Sequence, residues 1–165
     1  MSYMRQKGTQ FETAVVKYLQ SCGFTTPRRI ALSGAAGDKG DVWLGDNPVC
    51  PDIVIECKNY AQKLSYGLIE DFLKEAHTEY LNATKKDTVD NYSTVLIAKI
   101  INLGVADSWI VWKNNYGISV RARLGDVINI ENFKDISNES ERIVKLKTIL
   151  KNGDFNNAKE SMYKM

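Results

Sequence analysis

One histidine and three cysteines are all that the 165 residues contain of imidazole and thiolate metal ligands. Cys22, Cys50 and Cys57 form no C-x-x-C pair, and with only His77 to add they argue against a structural zinc site. An odd count also excludes a disulfide framework, so each cysteine reads as a small apolar residue. Long apolar runs are lacking too: none approaches the ~20 residues of a membrane span. The opening Met1-Ser2-Tyr3-Met4-Arg5-Gln6-Lys7 has no apolar stretch after its charges, unlike a secretory signal. Cytoplasmic residence is the resulting expectation.

A strong charge of one sign is missing as well. The net charge is +2, so composition alone does not point to a polyanionic partner. Its distribution is uneven. Residues 1–40 carry six Lys/Arg (Arg5, Lys7, Lys17, Arg28, Arg29, Lys39) against Glu12 and Asp38, a net +4, and the remainder is net −2. A polyanion would favour the N-terminal segment. An ordinary solvated face fits the same numbers.

What is present is the composition of a folded domain, 44% hydrophobic and 25% charged. The length suits a single domain over 1–165, with a core over about 5–115 and a C-terminal helical extension over about 135–165. Phe11, Ala14, Val15, Tyr18 and Leu19 fall at helical spacing, which predicts a helix from about Lys7 to Cys22 with Gly23 as its stop. An extended piece follows from Phe24 to Leu32, then a Gly-rich loop from Ser33 to Gly40. Two strands, Asp41–Leu44 and Asp52–Lys58, flank the turn-rich Gly45-Asp46-Asn47-Pro48-Val49-Cys50-Pro51 and read as a hairpin. A helix over 66–83, strands over 94–98, 108–112 and 118–122, and a helix over 139–151 capped by Asn138 or Ser137 complete the pattern. The helix-strand-strand-strand-helix-strand order describes an α/β fold, a mixed sheet flanked by helices.

The second hairpin strand poses a charge problem. Ile53, Val54 and Ile55 mark a buried strand, yet Glu56 and Lys58 end it. Residues two apart on a strand share a face, so these two project together and Cys57 points away. Burying them costs several kcal/mol unless something compensates, and a divalent cation on Glu56 would. If the turn is centred near Pro48, paired positions sum to about 97, which sets Asp41 opposite Glu56 at ~5 Å between Cβ atoms. That proposes a Mg2+ or Mn2+ site on Asp41, Glu56 and the Cys57 backbone carbonyl, with Lys58 beside it. Asp52 forms a literal Pro-Asp pair but lies ~13 Å along the strand from Glu56. Asp41 is therefore preferred, with Asp38 a weaker alternative. His77 reads as a solvent-facing helix residue, and Trp43, Trp109 and Trp112 as core.

Lys7-Gly8 and Phe11-Glu12 on the first helix, Arg29 with Leu32-Ser33-Gly34, then Gly40-Asp41-Val42 and Ile55-Glu56-Cys57-Lys58, resemble the PD-(D/E)XK nuclease superfamily. Within it they look most like the archaeal-type Holliday-junction resolvases and their phage relatives. The resemblance covers roughly residues 5 to 100 and is sharpest over 28–58. It implies a restriction-endonuclease-like sheet and a metal-dependent endonuclease acting on DNA, preferably four-way junctions, as a homodimer. It also implies that Glu12 completes the acidic cluster, that Ser33 lies near the scissile phosphate, and that Asp41 and Glu56 bind metal beside Lys58. Arg5, Lys7, Arg28, Arg29 and Lys39 are candidate DNA-backbone contacts. A longer Gly-Ala-rich loop and an unmatched segment after residue 100 depart from the family pattern. A PD-(D/E)XK enzyme that cuts linear duplex, and a catalytically inert DNA-binding module on the same fold, are the alternatives.

Overall fold

Helix α1 (Tyr3–Ser21) opens the fold. Phe11, Val15 and Leu19 recur every four residues and are all buried, so one stripe of α1 faces inward. Gly23, at φ +116°, turns the chain out of the helix through a conformation that a side chain would resist. The computed structural model describes residues 3–30, 41–59, 65–87 and 90–153, with side chains from residue 8 onward. Of the described part of the expected 24–32 stretch, only β1 (Arg28–Arg29) pairs as a strand.

The hairpin forms in the anticipated register. In β2 (Val42–Leu44) and β3 (Ile53–Lys58), Val42 lies opposite Ile55, Trp43 opposite Val54 and Leu44 opposite Ile53. Gly45, at φ +133°, allows the close return: a Cβ there would meet the Asp52 carboxylate at 2.7 Å. Helix α2 (Tyr66–Thr84) begins where the Ser65 hydroxyl accepts the Leu68 N–H. It carries the chain over to β4 (Thr94–Ala98), which runs parallel to β3 as such a crossover requires.

Strands β5 (Trp109–Lys113) and β6 (Ser119–Arg123) add antiparallel, each one residue later than the pattern placed them. The result is a mixed six-stranded sheet in the order β1-β2-β3-β4-β5-β6. Two one-turn helices that the sequence did not disclose follow, α3 (Leu124–Val127) and α4 (Ile130–Phe133). Last comes α5 (Glu139–Asn152), where the Asn138 side chain accepts the Glu141 N–H. Among the described residues no helix is long and apolar enough to cross a membrane.

Strand alternation divides the sheet into two faces. One carries Ile53, Ile55, Val95, Ile97, Ile110, Trp112, Val120 and Ala122, which form one apolar cluster with α1, α3 and α5. Fully burying each large side chain there contributes about 1.5–3 kcal/mol. Trp112 also donates its indole N–H to the Leu150 carbonyl at 2.7 Å, and Glu139 accepts the N–H groups of Thr25 and Thr26 at 3.0 and 2.7 Å. These bonds tie α5 to the sheet and to the link after α1. The other face, crossed by α2, holds two smaller apolar clusters together with Glu56 and Lys58 of β3 and Arg121 and Arg123 of β6.

Candidate active site at the end of β3

Glu56 is the penultimate residue of its sheet face on β3 and is only 3% exposed. The Lys58 ammonium lies 3.1 Å from its Oε1 and 3.6 Å from Glu75 Oε2, and 4.6 Å above the Phe72 ring. Burial alone would lower the Lys58 pKa. The charges of Glu56, Glu75 and Asp41 outweigh that and hold the ammonium above the ordinary lysine value. The other Glu56 oxygen, Oε2, is buried with no hydrogen-bond partner, a costly arrangement for a carboxylate.

Two further acids come from α2. Glu75 and Glu79, one helical turn apart, point at the same strand end. Oxygens of Glu56, Glu75 and Glu79 all lie within 4.8 Å of one another. Glu79 is 1% exposed. The sequence reading overlooked both residues. The available signal was Glu79 itself, an acid set among the core-facing Phe72, Ala76, Tyr80 and Ala83.

Asp41 sits just before β2 and turns its carboxylate to the β3 backbone, where Oδ2 accepts the Cys57 N–H at 2.8 Å. Glu12 of α1 joins it. Burial and the Asp41 charge raise the Glu12 pKa above its ordinary value, against the opposing pull of Arg29, whose Nε lies 3.0 Å from Glu12 Oε2. Cys57 pairs with Ile97 in the middle of this arrangement. Its thiol is pushed far up by burial and then by Asp41, Glu12 and Glu56. The anticipated acids therefore fall into two neighbouring groups around the Cys57 backbone. Asp41 and Glu12 make one; Glu56, joined by Lys58, Glu75 and Glu79, makes the other. Among the described residues, the trio of acids that gathers within 4.8 Å is the second.

The candidate DNA contacts are spread differently. Arg28 donates to the carbonyls of Thr26, Gly45 and Asn47 at 3.1, 2.8 and 2.8 Å, and lies 5.6 Å from the Trp43 ring. Arg29 is engaged by Glu12. Ser33, Asp38 and Lys39 lie outside the described residues, as do the side chains of Arg5 and Lys7. His77, expected to face solvent, is half-buried with its Nε2 enclosed and without a partner; burial, then Lys113, lowers its pKa. Trp43 and Trp112 are core as expected, whereas Trp109 is only half-buried.

Comparison with protein-family models, curated proteins and solved structures gives no match. The arrangement itself offers hard oxygen ligands and one fixed ammonium at the rim of a sheet. Oxygen donors of this kind suit a hard cation such as Mg2+ or Mn2+.

Proposed function

We propose that the protein is a divalent-metal-dependent DNA endonuclease of the PD-(D/E)XK type, with a restriction-endonuclease-like fold and a preference for four-way junctions. The observation that carries this reading is the buried Glu56, whose Oε2 has no hydrogen-bond partner while Lys58 lies 3.1 Å from its Oε1. A carboxylate so placed fits a cation, because a salt bridge to one oxygen leaves the other desolvated and uncompensated. Asp41, in register across the hairpin, and Glu56 would hold Mg2+ or Mn2+, with the Cys57 carbonyl and Glu12 completing the set. A bound cation supplies charge against the scissile phosphate and an activated water.

The chain's own groups do the rest. Lys58 stays cationic at neutral pH and is placed to steady a water or a developing oxyanion. Asp41 is held by the Cys57 N–H, which limits the ways its carboxylate turns. Ser33 would touch the phosphate. As a homodimer, the protein would nick one strand of a junction per protomer.

The test is cleavage of an end-labelled four-way junction and a matched linear duplex, with Mg2+ or EDTA. Paired symmetric nicks on the junction alone, abolished by EDTA, are expected. Equal cutting of the duplex would keep the nuclease and discard the junction preference. Folded protein that cuts neither would leave a DNA-binding module.

A further inference from the structure

The face of the sheet that carries Glu56 and Lys58 has a second charged group at its far edge. The Arg121 and Arg123 guanidinium carbons lie 3.9 and 3.8 Å from the centroid of the same indole, Trp109. Both guanidiniums are within cation–π distance of the ring, so Trp109 holds two cations close together. Arg123 is fixed further by donating to the Asp107 carbonyl at 2.9 Å.

Strand register relates this stack to the candidate site. Lys58 pairs with Ala98, Ala98 with Trp109 and Trp109 with Arg123. The four residues form the last row at this end of the sheet, where β3, β4 and β6 stop and β5 starts. One row deeper, Glu56, Leu96, Val111 and Arg121 follow the same order. Three inter-strand steps put the Lys58 and Arg123 backbones ~14 Å apart, about four base steps of a duplex at 3.4 Å each. Among the described residues Ala98 and Trp109 occupy the row between the two ends, half-buried Lys99 follows Ala98, and Asp107 stands just before β5.

Holding two guanidiniums on one ring is unfavourable in itself. Arg121 is 4% exposed, and burial first, then the neighbouring Arg123 charge, lowers its pKa. Arginine does not discharge in response. The half-exposed Arg123 guanidinium, held against Trp109 and by the Asp107 carbonyl, has the planar shape that suits a phosphate oxygen.

We propose that the Arg121–Trp109–Arg123 stack is a DNA-phosphate clamp, which binds the backbone of the substrate strand about four base steps from the site at Glu56 and Lys58. This rests on the reading of that site as a DNA nuclease, and it assigns a role to the part of the chain beyond residue 100. Arg121 and Trp109 set the geometry, and half-exposed Arg123 makes the contact.

The experiment is fluorescence anisotropy of a labelled four-way junction and a labelled duplex across a salt series in EDTA, which reports binding without cleavage. Wild type, Arg123→Gln and Arg123→Lys are compared, with thermal unfolding of each as the check on folding. Arg123→Gln is expected to bind about tenfold more weakly at 0.1 M salt and to lower the log–log salt slope by about one. Arg123→Lys is expected to keep the slope. A folded Arg123→Gln with wild-type affinity and slope overturns the clamp, and so does an Arg123→Lys that loses the slope. Wild type that binds DNA with the expected Arg123 effect yet never cuts it upholds the clamp and sinks the nuclease. Wild type that binds neither DNA sinks both.

Discussion

The two faces of the sheet are made by the same strands and serve opposite ends. On the α1 and α5 side, β3 offers Ile53, Ile55 and Cys57, and every neighbouring strand answers with aliphatic or aromatic side chains. On the α2 side the same strand offers Val54, Glu56 and Lys58, and β6 offers Ser119, Arg121 and Arg123. Alternation with a period of two lets one strand serve both purposes without compromise. The larger apolar cluster lies on one side, and the Glu56–Lys58 and Arg121–Arg123 groups lie on the other with two smaller clusters. The lesson is that a buried acid is tolerable here because the opposite face buries the larger apolar cluster.

The sharpest contrast comes from deleting one large side chain on the apolar face. Trp112→Ala should cost about 3–5 kcal/mol in urea unfolding, since it removes a fully buried indole and its bond to Leu150. A loss under about 1 kcal/mol would show that this face is not where stability lies. On the charged face, Glu56→Gln should cost less than Trp112→Ala in unfolding free energy, because it breaks the bridge to Lys58 but also relieves the crowding of Glu56 with Glu75 and Glu79. The same change should slow DNA cleavage about 100-fold or more, measured under single turnover. A variant destabilised more than Trp112→Ala but fully active would reverse the assignment of the two faces.

Lys58→Met probes the charged face from the cation side. It leaves Glu56 and Glu75 without their ammonium, and should cost about 2 kcal/mol, less than a fully enclosed pair because Lys58 keeps 18% exposure. Added Mg2+ should restore part of that loss in a thermal melt, and the wild type should gain less. The smallest effect concerns pH. Glu12 is raised by burial and by Asp41, so its carboxyl should titrate above 4.5 in metal-free protein when followed by NMR, and Asp41→Asn should bring it down. The unfolded chain releases that proton first. Glu12 therefore withdraws stability as pH rises from 4.5 through its folded value, and withdraws none below 4.5. A Glu12 indifferent to Asp41→Asn would separate the two acids.

Several features were legible before any coordinates. The hairpin register followed from two apolar runs around Asp46-Asn47-Pro48, and the pairing of Glu56 with Lys58 on one face followed from alternation alone. Helix α2 was legible to within one residue of its end. What α2 brings to the site was not. Acids one turn apart on a helix usually mark a solvated face, and only the way α2 crosses β3 turns Glu75 and Glu79 onto Glu56. The stack on Trp109 was hidden for a related reason: it depends on the β5–β6 register, and nothing local to either strand announces it. Helices α3 and α4 have four residues each, too few to show a period.

The account stands most directly on whether Glu56 holds a divalent cation. Calorimetric titration of millimolar Mn2+ into wild type and into folded Glu56→Gln measures this without any assumption about substrate. Saturable uptake by wild type that disappears in Glu56→Gln is the predicted result. Equal uptake by both proteins, or none by wild type, would contradict it.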